Sequence, residues 1–198
     1  MISNYTKLGI FLKPSSETVL EITKTKEYFK KIVTDSRFLD DEPHVTLLHG
    51  YYKDTEKVLK KFNALEYRAV NYQIDEPHVF YNDIQEGFHT PAYLLKKNQE
   101  ILNLQQILIN EFRPDLQSSF SNLEKKYLKN IKRFNYPFIG KDLIAHISVG
   151  NLNLKKTHEL IINFLSSEYK MKGIFESLFI AEIKEDTFFL LEEKNHEI

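Results

Sequence analysis

The spacing of apolar positions switches repeatedly along the chain between a period of two and a period of three to four. Leu8 to Leu12 is a short apolar run closed by Lys13-Pro14, which predicts a buried strand. Ser15 and Ser16 can then cap a helix reaching about Val33, with Val19, Leu20, Ile22, Phe29 and Ile32 on its inner side. After the acidic turn Asp40-Asp41-Glu42-Pro43, His44 to His49 alternates as a strand does. Asp54 to Phe62 predicts a short helix on Val58, Leu59 and Phe62, and a strand follows over Ile74 to Tyr81.

The second half repeats this grammar. Ala92 to Leu95 predicts a strand, and Ile101, Leu104, Leu108 and Phe112 share one helical face that Arg113-Pro114 ends. A less patterned stretch runs to about Asp142, followed by an alternating strand over Ala145 to Asn151. Leu160, Ile161, Phe164 and Leu165 mark a helix, and Gly173 to Ile183 and Phe188 to Glu192 predict two closing strands. No Gly/Ser-rich linker separates the halves. The expectation is α+β: one domain over residues 1–198, made of two similar lobes.

Composition narrows the classes. With 198 residues, 42% of them hydrophobic and 28% charged, the chain can bury roughly 70% of its unfolded surface and is no disordered segment. Its 27 basic and 28 acidic residues argue against strong general binding of nucleic acid or anionic membrane, since both need excess positive charge. They leave room for a small nucleotide or an RNA end in a local basic pocket. The absence of cysteine removes disulfides, thiolate nucleophiles and cysteine-held metals. The first residues do not read as a signal peptide, and no apolar run approaches the roughly 18 residues of a membrane span. A cytoplasmic protein is expected.

Common catalytic signatures are missing: no Gly-x-x-x-x-Gly-Lys, Gly-x-Gly-x-x-Gly, Gly-x-Ser-x-Gly or His-Glu-x-x-His occurs. Seven histidines remain, and two sit in matching contexts, Pro43-His44-Val45-Thr46-Leu47 and Ala145-His146-Ile147-Ser148-Val149. On strands, His44 and Thr46 point one way and Val45 and Leu47 the other; the same holds for His146 and Ser148. Either pair alone would be unremarkable; two copies in corresponding places are not. Two imidazoles across a groove can act as base and acid on opposite sides of a phosphorus atom. The hydroxyls of Thr46 and Ser148 can donate to the non-bridging oxygens where charge accumulates. They are anion binders here and not nucleophiles, and the scheme requires no metal.

The paired His-x-Thr/Ser-x tetrapeptides resemble those of the two-histidine (2H) phosphoesterase superfamily, which includes RNA 2′,3′-cyclic phosphodiesterases and bacterial 2′-5′ RNA ligase-like proteins. The resemblance implies a bilobal fold of two pseudo-symmetric lobes, each antiparallel sheet plus helices, around a central groove. It also implies catalytic His44 and His146, substrate-binding Thr46 and Ser148, no cofactor and no metal. The expected substrate is a small nucleotide, a cyclic oligonucleotide or an RNA end, and a monomer is expected. Degradation of a cyclic or 2′-5′-linked signalling oligonucleotide and non-catalytic sequestration of a nucleotide are the alternatives.

Other features have plainer readings. His49 has the opposite parity from His44 and is assigned to structure or solvent. Asp75-Glu76-Pro77-His78-Val79 repeats Asp41-Glu42-Pro43-His44-Val45, but Phe80 stands where the hydroxyl should be, so His78 is kept out of the site. His89, His158 and His196 have no supporting context. A metal site from His44, His49 and His78 lacks a recognisable ligand pattern. The basic stretch Lys125 to Phe134 reads as a solvated helix, with Ser121 and Glu124 as a capping box and Leu123, Tyr127 and Ile131 inward; a lid over a second phosphate is the functional reading. Tyr51, Tyr52, Tyr93, Tyr136 and Phe138 are the residues considered for stacking on a base.

Overall fold

The computed structural model describes residues 4–83, 87–118, 120, 123–185 and 187–195. The chain runs through β1 (Thr6–Lys13), α1 (Ser16–Ile32), β2 (Ser36–Arg37), β3 (Val45–Tyr52), α2 (Thr55–Ala64) and β4 (Asn71–Phe80). It continues through β5 (Thr90–Leu95), α3 (Gln99–Glu111), α4 (Leu128–Phe134), β6 (His146–Ser148), β7 (Asn151–Leu152) and α5 (Glu159–Leu165), and ends in β8 (Lys172–Ile174), β9 (Ser177–Lys184) and β10 (Thr187–Asn195).

Eight strands form one antiparallel sheet in the order β10-β9-β1-β3-β6-β5-β4-β8, and β2 pairs with β7 beside it. The sheet divides at its centre into lobes β10-β9-β1-β3 and β6-β5-β4-β8. The lobes are not the two halves of the sequence. Each half contributes two neighbouring strands to one lobe, β1 and β3 or β5 and β6, and sends a later strand, β4 or β9, to the other. Helices are exchanged in the same sense. Thr25 of α1 bonds the Tyr93 hydroxyl of β5, and Gln105 of α3 reaches the Leu47 carbonyl of β3. One contiguous apolar cluster therefore runs under both lobes, from Leu8, Val45 and Leu47 through Ile74 and Tyr93 to Ile147 and Ile180.

Three sequence expectations need correction. The inner stripe of α1 is Thr18, Ile22, Lys26 and Phe29, whereas Leu20 and Ile32 are exposed. The stripe includes a lysine because the Lys26 ammonium donates to the carbonyls of Phe38 (2.8 Å) and Asp41 (2.7 Å), replacing the water it loses. The strand expected over Ala145 to Asn151 is broken into β6 and β7, which pair with different partners. The strand expected over Gly173 to Ile183 is likewise two strands: β8 lies on the outer edge of one lobe beside β4, and β9 lies inside the other beside β1. Only Phe175 and Glu176 connect them, so the sheet must curl until those places are two residues apart. Phe175 is fully buried, and the Glu176 carboxylate accepts from the Ser16 backbone N–H at the start of α1.

Between α3 and β6 the chain packs against β3. Tyr51 pairs with Leu116, and Pro114 lies directly on the backbone of Gly50, leaving no space for a β-carbon. β3 carries one residue more than β1 at this level, since Ile10 faces Leu48 and Phe11 faces Thr46. This bulge at Leu47 is served by the fully buried Gln105 side chain. Its amide donates to the carbonyls of Leu47 (3.1 Å) and Phe138 (2.6 Å), and its oxygen accepts from the Gly140 N–H (3.0 Å). Gln105→Leu strands these three backbone groups and is expected to destabilise the protein by about 3 kcal/mol, measured as a lowered denaturant midpoint at unchanged slope.

Candidate active site

The two lobes meet where Val45 of β3 lies opposite Ile147 of β6, both fully buried on the helix side. One residue further in each direction, the antiparallel register sets Thr46 opposite His146 and His44 opposite Ser148. These four side chains point to the other face, into the groove, and all four are half-buried. Antiparallel pairing of two His-x-hydroxyl units thus gives a square with the imidazoles on one diagonal and the hydroxyls on the other.

The imidazoles are held alike. His44 Nδ1 lies 2.8 Å from the Glu42 carbonyl, and His146 Nδ1 lies 2.7 Å from the Ile144 carbonyl. A carbonyl only accepts, so Nδ1 carries the hydrogen in both rings and the Nε2 lone pair is left for the groove. On the His44 side the supporting loop is fixed by Lys26 and by the Lys13–Glu42 ion pair (2.9 Å). Aromatic edges buttress the rings. Phe11, folded over Gly9 where no side chain obstructs it, meets His44 at 4.8 Å between centroids, and Phe188 meets it at 5.1 Å. Phe80 meets His146 at 4.8 Å.

Burial dominates the electrostatics. It pushes the His44 imidazole down to about 4, with Lys26 and His146 adding to the fall and the Glu42 carbonyl opposing it. His146 is lowered for the same first reason; the Ile144 carbonyl and Asp83 oppose the fall and His78 adds to it. Both rings are therefore neutral at pH 7 on their own. An anion between them favours the protonated form of one and restores an acid beside a base.

The remaining sequence candidates divide clearly. His49 is buried and bonds Ser118 through Nδ1 (2.9 Å), against Phe120 and Tyr136. It is structural, as expected, but the parity argument fails: the bulge shifts the alternation, and His49 lies opposite Gly9, on the face that carries Phe11. His89 accepts from the Asn82 N–H, and His158 caps α5; His196 lies outside the described residues. Tyr52, Tyr93 and Tyr136 are buried and so cannot stack on a ligand, while Tyr51 and Phe138 are half-buried. The rings beside the quartet include Phe11, Phe188, Phe179 and Phe80, which no local sequence pattern singles out as site residues. The basic stretch is a 3₁₀ turn over Lys125–Tyr127 leading into α4, with Tyr127 buried and Ile131 half-buried. Ser121 of the expected capping box lies outside the described residues, and Glu124 makes no side-chain cap. Among the described residues no group of three or more His, Asp or Glu side chains is placed to hold a metal ion, and no helix is long and apolar enough to cross a membrane.

No family model matches the chain, nor does any curated protein. Solved structures do. The chain is similar to TT0787 of Thermus thermophilus, with a TM-score of 0.62 and 13% identity over 96% of this chain and 97% of that one. It is similar to E. coli LigT complexed with 3′-AMP, with a TM-score of 0.56 and 8% identity over 97% and 98%. It is also similar to Kluyveromyces marxianus Usb1, with a TM-score of 0.57 and 13% identity over 94% and 97%. These proteins belong to the two-histidine phosphoesterase superfamily, and the chain has that fold over nearly its whole length.

The lowered imidazoles fix a pH dependence. Between the unfolded value of 6.5 and about 4, the unfolded chain holds a proton at His44 that the folded chain refuses. Stability should therefore be full above pH 6.5 and fall as the pH drops toward 4. Denaturant midpoints measured across this range should show the slope, and His44→Asn should reduce it, leaving the part that the lowered His146 contributes.

Proposed function

We propose that this protein is a phosphodiesterase that cleaves a phosphodiester involving a 2′-oxygen, either a 2′,3′-cyclic phosphate or a 2′-5′ linkage, in a nucleotide or at an RNA end. The observation that carries this reading is the antiparallel quartet, with both imidazoles held in the same tautomer by carbonyls two residues upstream. Two chemically alike groups face one small space, which suits a reaction that needs a base on one side of phosphorus and an acid on the other.

A phosphodiester anion seated between Thr46 and Ser148 accepts hydrogen bonds from their hydroxyls. Its charge keeps one imidazole protonated while the other stays neutral. The neutral Nε2 takes the proton from an attacking water or ribose hydroxyl as the new P–O bond forms. The protonated Nε2 donates to the departing ribose oxygen as the old bond breaks. The hydroxyls meet the growing charge on the non-bridging oxygens. The net proton count is unchanged, because what one ring gains the other gives. That E. coli LigT was crystallised with 3′-AMP supports a nucleotide ligand, since the two chains share the fold.

Turnover of 2′,3′-cyclic nucleotides, RNA ending in a cyclic phosphate, 2′-5′ oligoadenylate and cyclic di- and trinucleotides, measured in EDTA, tests this. Wild type should cleave at least one, and the best substrate separates RNA-end processing from degradation of a signalling oligonucleotide. His44→Ala and His146→Ala should each lose about 10³-fold in kcat, and Thr46→Val or Ser148→Ala about 10²-fold, with unchanged circular dichroism. Activity surviving in either histidine variant would overturn the mechanism. Tight binding of one ligand without product would instead make the protein a nucleotide sequestrant.

A further inference from the structure

The histidine whose local motif lacks a hydroxyl stands in the groove. Ser148 of β6 lies opposite Ala92 of β5, and Ala92 lies opposite His78 of β4. Residues directly opposite in an antiparallel sheet share a face, so His44, Ser148, Ala92 and His78 form one row across the groove floor. His78 is two interstrand spacings from Ser148, about 10 Å between backbones. The residue between them is an alanine, with no side chain to reach across the row.

Phe80, whose lack of a hydroxyl disqualifies His78 as a third catalytic motif, has its own place. Its ring centroid lies 4.8 Å from that of His78 and 4.8 Å from that of His146. The phenyl therefore touches both imidazoles, and His78 is near enough to His146 to help lower it. His78 is half-buried and has no hydrogen-bond partner among the described residues, unlike His44, His49, His89, His146 and His158. In the adjacent row of the same face, Leu94 lies opposite His146, and exposed Glu76 lies opposite Leu94. Along the Ser148 row, then, the face carries a half-buried hydroxyl, a covered alanine and a half-buried imidazole. Along the neighbouring row it ends in a carboxylate, which repels an anion.

We propose that His78 binds the phosphate adjacent to the scissile one, so that the preferred substrate carries two phosphates one nucleotide unit apart. With the first phosphate at Ser148 and His146, an imidazole donor about 10 Å along the row reaches the next group of an extended chain, and the Phe80 ring between them supports the intervening ribose. This rests on the phosphodiesterase reading and deepens it, since it selects a nucleotide with a second phosphate, or an oligonucleotide, over a nucleoside with a single cyclic phosphate.

Binding measured by calorimetry on the full chain tests it, with adenosine 3′-monophosphate and adenosine 3′,5′-bisphosphate as probes. Wild type should bind the bisphosphate about tenfold more tightly, as one charge-assisted hydrogen bond allows. His78→Ala should lose that advantage while its affinity for the monophosphate stays unchanged, and His78→Lys should restore it. Equal weakening toward both probes would overturn the proposal and make His78 a packing support for Phe80 and His146. An undiminished bisphosphate preference in His78→Ala would also overturn it. If wild type binds neither probe, the phosphate-binding groove itself is refuted, and with it both readings; binding of both probes without any preference refutes only the role of His78.

Discussion

The groove depends on a single pair of residues. Val45 and Ile147 are the one paired position between β3 and β6, and through it the lobes become one sheet. Because the contact is antiparallel, it superimposes two similar tripeptides head to tail. A register shift of one residue would turn one histidine into the core, and a parallel contact would set histidine beside histidine in place of the diagonal. β3 and β6 then diverge, and the segment after α3 fills the resulting wedge, sealed by Gln105 at the Leu47 bulge and by Pro114 against Gly50. The chemistry of the groove face is thus set by apolar residues on the other side of the sheet.

The same burial that fixes the rings also sets their protonation. Phe11 and Phe188 around His44, and Phe80 beside His146, restrict water without supplying counter-charge. The buried Lys26, itself brought down to about 8 by desolvation, adds positive potential behind His44 while holding the loop that orients it. Two neutral rings of this kind would become an acid and a base if negative charge entered between them, which is what the proposed phosphodiesterase reaction needs.

Much of this is legible in the sequence because it is periodic. The alternation around His44 and His146 marks both strands and both polar faces, and the 3.6-residue spacing of α2 and α3 marks helices within a residue or two of those seen. What escapes is aperiodic or nonlocal. Nothing in Val45-Thr46-Leu47-Leu48-His49 marks the extra residue that carries His49 to the Phe11 face, since a bulge shows only against its partner strand. Lys26 reads as a solvated lysine until the Phe38 and Asp41 carbonyls are seen around it. The exchange of β4 and β9 between lobes hides in connections that a linear reading takes as lobe boundaries. His78 is judged in the sequence by its neighbour Phe80, although its place in the groove is set by Ala92 and Ser148 on other strands.

The connection through Phe175 and Glu176 also has a mechanical side. Ile174 and Ser177 are three residue steps apart, a reach of at most about 11 Å, and this short link ties the outer edge of one lobe to an inner strand of the other. With the lobes joined at Val45–Ile147 as well, they are tied at two separate places. Prising them apart at the paired strands would therefore still leave them tethered through the chain at Phe175 and Glu176.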